Sequence, residues 1–295
     1  MHKIYILTIL TFCLIPCKAQ TIADQSVRIK SISERWELAD STRRGTFLLT
    51  SYKPFYFSLG RWSNNPNNQP YSENPAYSVP APTDYNNYEA RFHISFKVKL
   101  LQKIFWGKGD LWAGYTQKAH WQIYNTGVSR PFRELNYEPE LILNFPVRYH
   151  FLGFEGRTLG MAFNHQSNGR ELPHSRSWNR IMFHTSMERK NWQITLRPWI
   201  RLKDTDDENP MILDYIGRGE VTVVYGRPRH QIYLVGTHPF TFGLINRGSA
   251  QLNWVFQIHG HLKGHLQMSA GYGETLIDYN HAQNTIGLGI SFIDW

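Results

Sequence analysis

Short segments in which apolar and polar residues alternate recur along most of the chain, and they constrain its fold more than any other feature. Each runs for roughly nine to fifteen residues, as in the apolar series Leu252, Trp254 and Phe256. Successive side chains of a β-strand point to opposite faces, so alternation predicts strands with one apolar face. We count twelve such strands, at 46–59, 88–100, 110–124, 137–149, 157–167, 177–188, 191–202, 218–226, 229–236, 249–259, 261–272 and 284–294.

The composition indicates where such strands would lie. No apolar run is long enough for a spanning helix and the mean hydropathy is −0.44, yet 15% of the residues are aromatic. A polar average with periodic aromatic residues and an even strand count is typical of outer-membrane barrels. The sequence therefore predicts an all-β fold, a twelve-stranded antiparallel transmembrane β-barrel; a soluble basic β-sandwich is the alternative that composition leaves open.

The connections between predicted strands alternate in length. Those after odd-numbered strands are mostly long, and those after even-numbered strands include two-residue turns such as Arg189-Lys190. Outer-membrane barrels have long external loops and short periplasmic turns. With the N-terminus in the periplasm, the fifth strand runs outward and ends at His165 and Ser167.

The first 19 residues are typical of a secretory signal peptide. A basic start precedes an apolar run at 4–16 and a cleavage region at 17–20. Both cysteines, Cys13 and Cys17, lie in this segment, so cleavage after Ala19 would leave a chain without disulfides; lipoprotein processing at Cys17 is the alternative. We expect a periplasmic N-terminal segment at 20–45 and the barrel at 46–295.

The chain is basic, with a formal net charge of +9 that becomes +7 when Lys3 and Lys18 leave with the signal peptide. A basic exported protein favours anionic lipid headgroups or lipopolysaccharide as partners, and export argues against nucleic acid. The expected location is the outer membrane of a Gram-negative-type envelope.

The most informative motif lies at the end of the fifth predicted strand. His165 and Ser167 share parity with the apolar Leu159, Met161 and Phe163, and therefore share the lipid-facing side. Asn179, near the start of the sixth predicted strand, shares its face with Ile181 and Phe183. A serine nucleophile requires a base and a group that orients the base. These three residues are candidates for those roles, and Gly169 allows a loop whose backbone N–H groups stabilise an oxyanion.

The segment from Asn164 to Arg180 resembles the active-site segment of the outer membrane phospholipase A family. Further similar motifs lie from about residue 110 onward, at 115–118, 131–134, 136–139, 206–207, 271–274 and 277–280. The resemblance implies a twelve-stranded barrel in which Ser167 is the nucleophile, His165 the general base and Asn179 its orienting partner. It also implies hydrolysis of phospholipid acyl esters through an acyl-serine intermediate.

The resemblance further implies a calcium-dependent homodimer. Calcium would be bound by the Arg170 carbonyl and Ser175, with Ser129 contributing across the dimer interface, and Gln117 would lie at that interface. Some members carry an aspartate before the proline of the calcium loop; this chain has Leu172 there, after Glu171. A second calcium-binding mode that uses this aspartate and Asp207 is therefore not expected.

Two alternatives remain from the sequence. A lipid A deacylase also uses serine and histidine on the lipid face of a barrel, but it would not explain the segment 175–180 or the paired aspartates at 206–207. A porin-like or scaffolding barrel would have no catalysis. Twelve strands leave little lumen, and Arg180, His184 and Glu188 are expected to fill it with charge.

Overall fold

The strands of the computed structural model, which describes residues 29–240 and 247–291, close into an antiparallel barrel. They are β1 (Leu49–Ser51), β2 (Tyr56–Ser63), β3 (Tyr88–Leu101), β4 (Asp110–Trp121), β5 (Glu134–Phe151), β6 (Phe154–Ser167), β7 (Ser177–Arg189), β8 (Trp192–Leu202), β9 (Gly219–Arg227), β10 (His230–Thr237), β11 (Ser249–His259), β12 (Leu262–Gly271) and β13 (Gln283–Ser291). Each strand from β4 to β13 pairs with the next, β13 pairs with β2, and the pairing of β3 with β4 closes the barrel.

The barrel has twelve strand positions because β1 and β2 are two halves of one strand. Both pair antiparallel with β3, through Leu49 opposite Val98 and Tyr56 opposite His93. The prediction of a twelve-stranded barrel is confirmed, but a continuous first strand at 46–59 is wrong. Pro54 has no N–H for the ladder, and the N–H of Lys53 donates to Ser95 Oγ at 3.2 Å instead.

The ends of the other predicted strands that lie within the described residues agree with the structure to within three residues, and the predicted end at 294 lies outside them. Pro146 lies at a register shift between β5 and β6, and Pro198 lies at the last pair of the β8–β9 ladder, where a missing N–H is tolerated. Pro139 lies within the ladder, opposite Tyr115. The predicted signal peptide at 1–19 lies outside the described residues.

The wall of the barrel is apolar outside and polar inside. Exposed leucine, phenylalanine and tryptophan side chains cover the outer face, whereas buried charged side chains fill the interior. Arg180 pairs with Glu138 at 3.2 Å, and Arg197 pairs with Glu140 at 3.0 Å. His184 Nε2 lies 2.8 Å from Asn144 Oδ1. These contacts pair opposite charges inside the barrel and keep them away from lipid.

Part of the predicted N-terminal segment lies against this inner wall. Helix α1 (Ile32–Trp36) begins at a capping box between Ser31 and Glu34, and the N–H of Ile32 donates to Glu188 Oε2 at 2.9 Å. Trp36 stacks on His184, with 5.9 Å between ring centroids. Residues from 31 to 36 therefore fill the end of the lumen opposite Ser167. None of the helices in the described ranges, which include the short α2 (Ile212–Tyr215), is long and apolar enough to cross a membrane.

Candidate active site

The candidate catalytic residues lie on the outer face of β6 and β7. Leu159, Met161 and Phe163 are exposed on β6, and His165 and Ser167 continue this stripe as half-buried side chains. Between them, Ala162 and Asn164 are buried in the interior. The alternation predicted from the sequence therefore places His165 and Ser167 on the lipid-facing side.

Asn179 lies directly opposite His165 in the ladder between β6 and β7. The Nδ1 of His165 is 2.8 Å from Asn179 Oδ1. An amide oxygen only accepts hydrogen bonds, so this contact requires the proton on Nδ1. The lone pair of Nε2 is then free to accept a proton, which is the tautomer a general base needs.

Ser167 completes a row of residues that crosses four neighbouring strands. It lies opposite Tyr137 of β5 and Ser177 of β7, and Tyr137 lies opposite Gln117 of β4. Neighbouring strands are about 4.8 Å apart, so Gln117 and Ser167 are about 10 Å apart along the wall. Ser167 Oγ makes no hydrogen bond to any described residue, and nucleophile–base contacts are often long before substrate binds.

The loop at 168–176 is organised by Asn168, which the sequence analysis did not single out. Its side chain is buried; Nδ2 donates to the His174 carbonyl at 2.8 Å, and Oδ1 accepts from the N–H of Arg176 at 3.0 Å. The N–H of Asn168 also donates to the carbonyl of Arg176 at 3.0 Å. Asparagine often fixes turns in this way, so the Asn-Gly pair after a strand was the available signal.

Gly169 adopts a left-handed conformation with φ of 63°, and a Cβ there would lie 3.2 Å from the Tyr137 ring. The glycine is exposed, and no described residue accepts its backbone N–H. A free N–H two residues after the candidate nucleophile fits the donor that a tetrahedral oxyanion requires.

The candidate calcium ligands occupy two loops. Arg170 and Ser175 share the loop 168–176, where the Arg170 guanidinium donates to the Arg133 carbonyl at 3.1 Å. No described N–H donates to the carbonyl of Arg170, which leaves this oxygen available for a cation. Ser129 lies between β4 and β5; its carbonyl accepts from Trp121 Nε1 at 2.8 Å, and no hydrogen bond joins it to Arg170 or Ser175 among the described contacts.

The Ser175 hydroxyl donates to Glu208 Oε1 at 2.7 Å, which links this loop to the loop at 203–218. Asp207 instead accepts from Arg201 at 2.5 Å, and Leu172 is exposed.

Burial and the neighbouring Arg170 and Arg176 lower the pKa of His174. Within the described ranges no three His, Cys, Asp or Glu side chains could hold a metal together.

Hydroxyl and carbonyl oxygens such as those of Ser175 and Arg170 fit a hard cation.

A family model described as Phospholipase A1 matches residues 32–292. A putative phospholipase A1 from Neisseria meningitidis serogroup B is 38% identical over 271 residues, which are 89% of this chain and 70% of that protein. Phospholipase A1 from Escherichia coli K12 is 38% identical over 206 residues, which are 70% of each protein.

Two solved structures are also similar. Outer membrane phospholipase A from Escherichia coli has a TM-score of 0.73 and 33% identity, covering 83% of this chain and 94% of that one. A Salmonella typhi outer membrane phospholipase, described as a dimer with bound calcium, has a TM-score of 0.74 and 32% identity, covering 85% and 94%.

Proposed function

The chain belongs to the phospholipase A1 family, and on that premise we propose that it cleaves glycerophospholipid acyl esters with a Ser167–His165–Asn179 triad, as a calcium-dependent dimer. Membership, together with the shared barrel, makes it an outer-membrane phospholipase A1. The single observation that carries the assignment of residues is the His165–Asn179 hydrogen bond of 2.8 Å on the same outward face as Ser167.

The triad acts by acyl transfer. His165 Nε2 takes the proton of Ser167 Oγ, and the oxygen attacks the ester carbonyl of a phospholipid to form an acyl-serine. Asn179 holds the imidazole in the required tautomer and accepts a hydrogen bond from the imidazolium that develops. His165 then returns its proton to the leaving lysophospholipid, and water activated by the same imidazole releases the fatty acid.

The oxyanion is stabilised at the start of the loop 168–176. The free N–H of Gly169 donates to the developing negative charge, and the left-handed backbone fixed by the Asn168 hydrogen bonds holds that N–H in place. The Arg170 carbonyl and the Ser175 hydroxyl would bind calcium, which supplies positive charge for the same oxyanion when it is bound.

A dimer would bring in Ser129 and bury Gln117. The Tyr115 hydroxyl donates to Gln117 Oε1 at 3.1 Å, which leaves the Gln117 amide group on a lipid-facing wall. An unpaired polar group in lipid is unfavourable, so its natural partner is the same residue across a two-fold axis. The row from Gln117 to Ser167 would place that axis beside the catalytic serine, where acyl chains from the membrane can enter.

The test is fatty-acid release from mixed phospholipid micelles by the refolded protein, with calcium and then with excess chelator. We expect calcium-dependent release that Ser167→Ala abolishes, because the Ser167 hydroxyl is the group that forms the acyl intermediate in the proposed mechanism. Ser177→Ala is the matched control, since this serine lies opposite Ser167 in the ladder and should keep wild-type activity. Heat-modifiable migration in gels verifies that both variants are folded, and a folded Ser167→Ala protein that still hydrolyses esters would refute the assignment.

A further inference from the structure

Glu208 is held close to the candidate calcium loop by contacts with two other loops, at 64–87 and 168–176. Its Oε1 accepts the Ser175 hydroxyl at 2.7 Å, and its backbone carbonyl accepts Ser72 Oγ at 2.7 Å. The preceding Asp207 is fixed as well, because Asn74 Nδ2 donates to its carbonyl at 3.0 Å. The carboxylate therefore has a defined position beside Ser175 and is not a mobile surface group.

The second oxygen of this carboxylate has no partner. Glu208 Oε2 is shielded from solvent and makes no hydrogen bond to any described residue. The next side chain, Asn209, is fully buried, and neither its Oδ1 nor its Nδ2 has a partner in the same ranges. A buried carboxylate oxygen that is left unpaired is strongly unfavourable, so this position calls for a cation or for water.

The expected calcium site lacks a negatively charged ligand. The groups expected to bind calcium, the Arg170 carbonyl and two serine hydroxyls, are all neutral, and affinity for calcium rises with the number of charged ligands. Arg176 is a basic residue of the same loop, but its guanidinium donates to the carbonyls of Pro173, Ser175 and Tyr77. It does not form an ion pair with Glu208 within 4.0 Å.

We propose that Glu208 is a carboxylate ligand of the calcium ion bound by Ser175 and the Arg170 carbonyl, an inference that rests on the proposed function. Two oxygens 2.7 Å apart need to separate only slightly to bind one cation together. The unpartnered Oε2 can make the carboxylate bidentate. Glu208 would then supply the negative charge that the exposed Leu172 does not supply from the loop 168–176.

The experiment is calcium titration by isothermal calorimetry on the full-length refolded chain in detergent, which does not depend on activity. We expect Glu208→Gln to weaken calcium binding about tenfold or more, because it removes the charge but keeps the Ser175 hydrogen bond. Glu208→Asp should give an intermediate loss of calcium affinity. The charge remains, but the side chain is one methylene shorter and holds the carboxylate farther from the ion. Glu171→Gln is the matched control, because this exposed carboxylate lies on the same loop without a side-chain hydrogen bond to any described residue.

Each outcome has a distinct meaning. Wild-type affinity in folded Glu208→Gln would overturn the inference and assign water to Oε2, while leaving the proposed function intact. An equal loss in Glu171→Gln would also overturn it, because general loop charge would then explain the effect. A wild-type protein that binds no calcium in the calorimeter would overturn the calcium dependence of the proposed function and this inference together.

Discussion

At the scale of single residues, the proposed triad would orient His165 through the uncharged oxygen of Asn179, where many serine hydrolases use a carboxylate. The position explains this choice. Asn179 lies on the lipid-facing side of β7, next to apolar Ile181, where a buried negative charge would be unfavourable. The neutral amide stabilises the imidazolium less than a carboxylate would, but it avoids burying a negative charge beside lipid.

We therefore expect Asn179→Ala to lower kcat by roughly ten- to a hundredfold, with a small effect on KM. The reason is that a hydrogen bond to a developing charge contributes about 1.5–3 kcal/mol, and each 1.4 kcal/mol is tenfold in rate. Steady-state kinetics in mixed micelles measure this, with Ser177→Ala as the control. An unchanged kcat would show that Asn179 does not orient the base.

The residues of the site differed in how far the sequence could predict them. Strand parity was sufficient to place His165, Ser167 and Asn179 on one face, because period-2 alternation is a local property of the chain. Glu208 was not predictable in the same way. Its contact with Ser175 joins two loops 33 residues apart, and loop conformation is not encoded in alternation.

At the scale of elements, the external loops are joined by a buried cluster around Asp278. This carboxylate accepts from Arg133 at 3.1 Å, Asn67 at 3.0 Å and Thr275 at 2.8 Å. Burial by itself would raise the pKa of Asp278, but the pairing with Arg133 and these hydrogen bonds hold it below the ordinary value. The backbone carbonyl of Arg133 in turn accepts from the Arg170 guanidinium, so the cluster supports the loop 168–176.

We expect Asp278→Asn to lower the free energy of unfolding by about 3 kcal/mol, because it leaves a buried arginine with one charged partner fewer. The effect should be present above pH 4, the ordinary range of an aspartate, and should shrink as the pH falls through the lowered pKa of the folded state. Urea titrations at pH 7 and pH 3 measure this. An equal difference at both pH values would show that the charge of Asp278 contributes nothing.

At the scale of the whole molecule, alternation and loop lengths were sufficient to predict the number and order of strands. They could not predict the break at Pro54 or the packing of Trp36 against His184 inside the lumen. The break had a local signal in Pro54, which has no N–H for the ladder, whereas the packing depends on contact between residues far apart in sequence. The same limit applies to the proposed dimer, which requires a second copy of the chain.

Gln117 offers the test of that dimer. Gln117→Ala should weaken calcium-dependent dimerisation several-fold, since a hydrogen bond between polar side chains in a membrane contributes about 1 kcal/mol. Chemical cross-linking and analytical ultracentrifugation in detergent measure the dimer fraction. Specific activity should fall with that fraction and recover at high protein concentration, because the triad itself is unchanged.

Leu234→Ala provides the control, because β10 lies six strands from β4 in either direction around the barrel and Leu234 is exposed on the outer face. It removes a lipid-facing side chain from the opposite wall and should leave dimerisation intact. If Gln117→Ala and Leu234→Ala dimerise equally well, the interface lies elsewhere on the barrel. If Gln117→Ala loses activity that high protein concentration does not restore, the residue affects the site through the row to Ser167 and not through the second subunit.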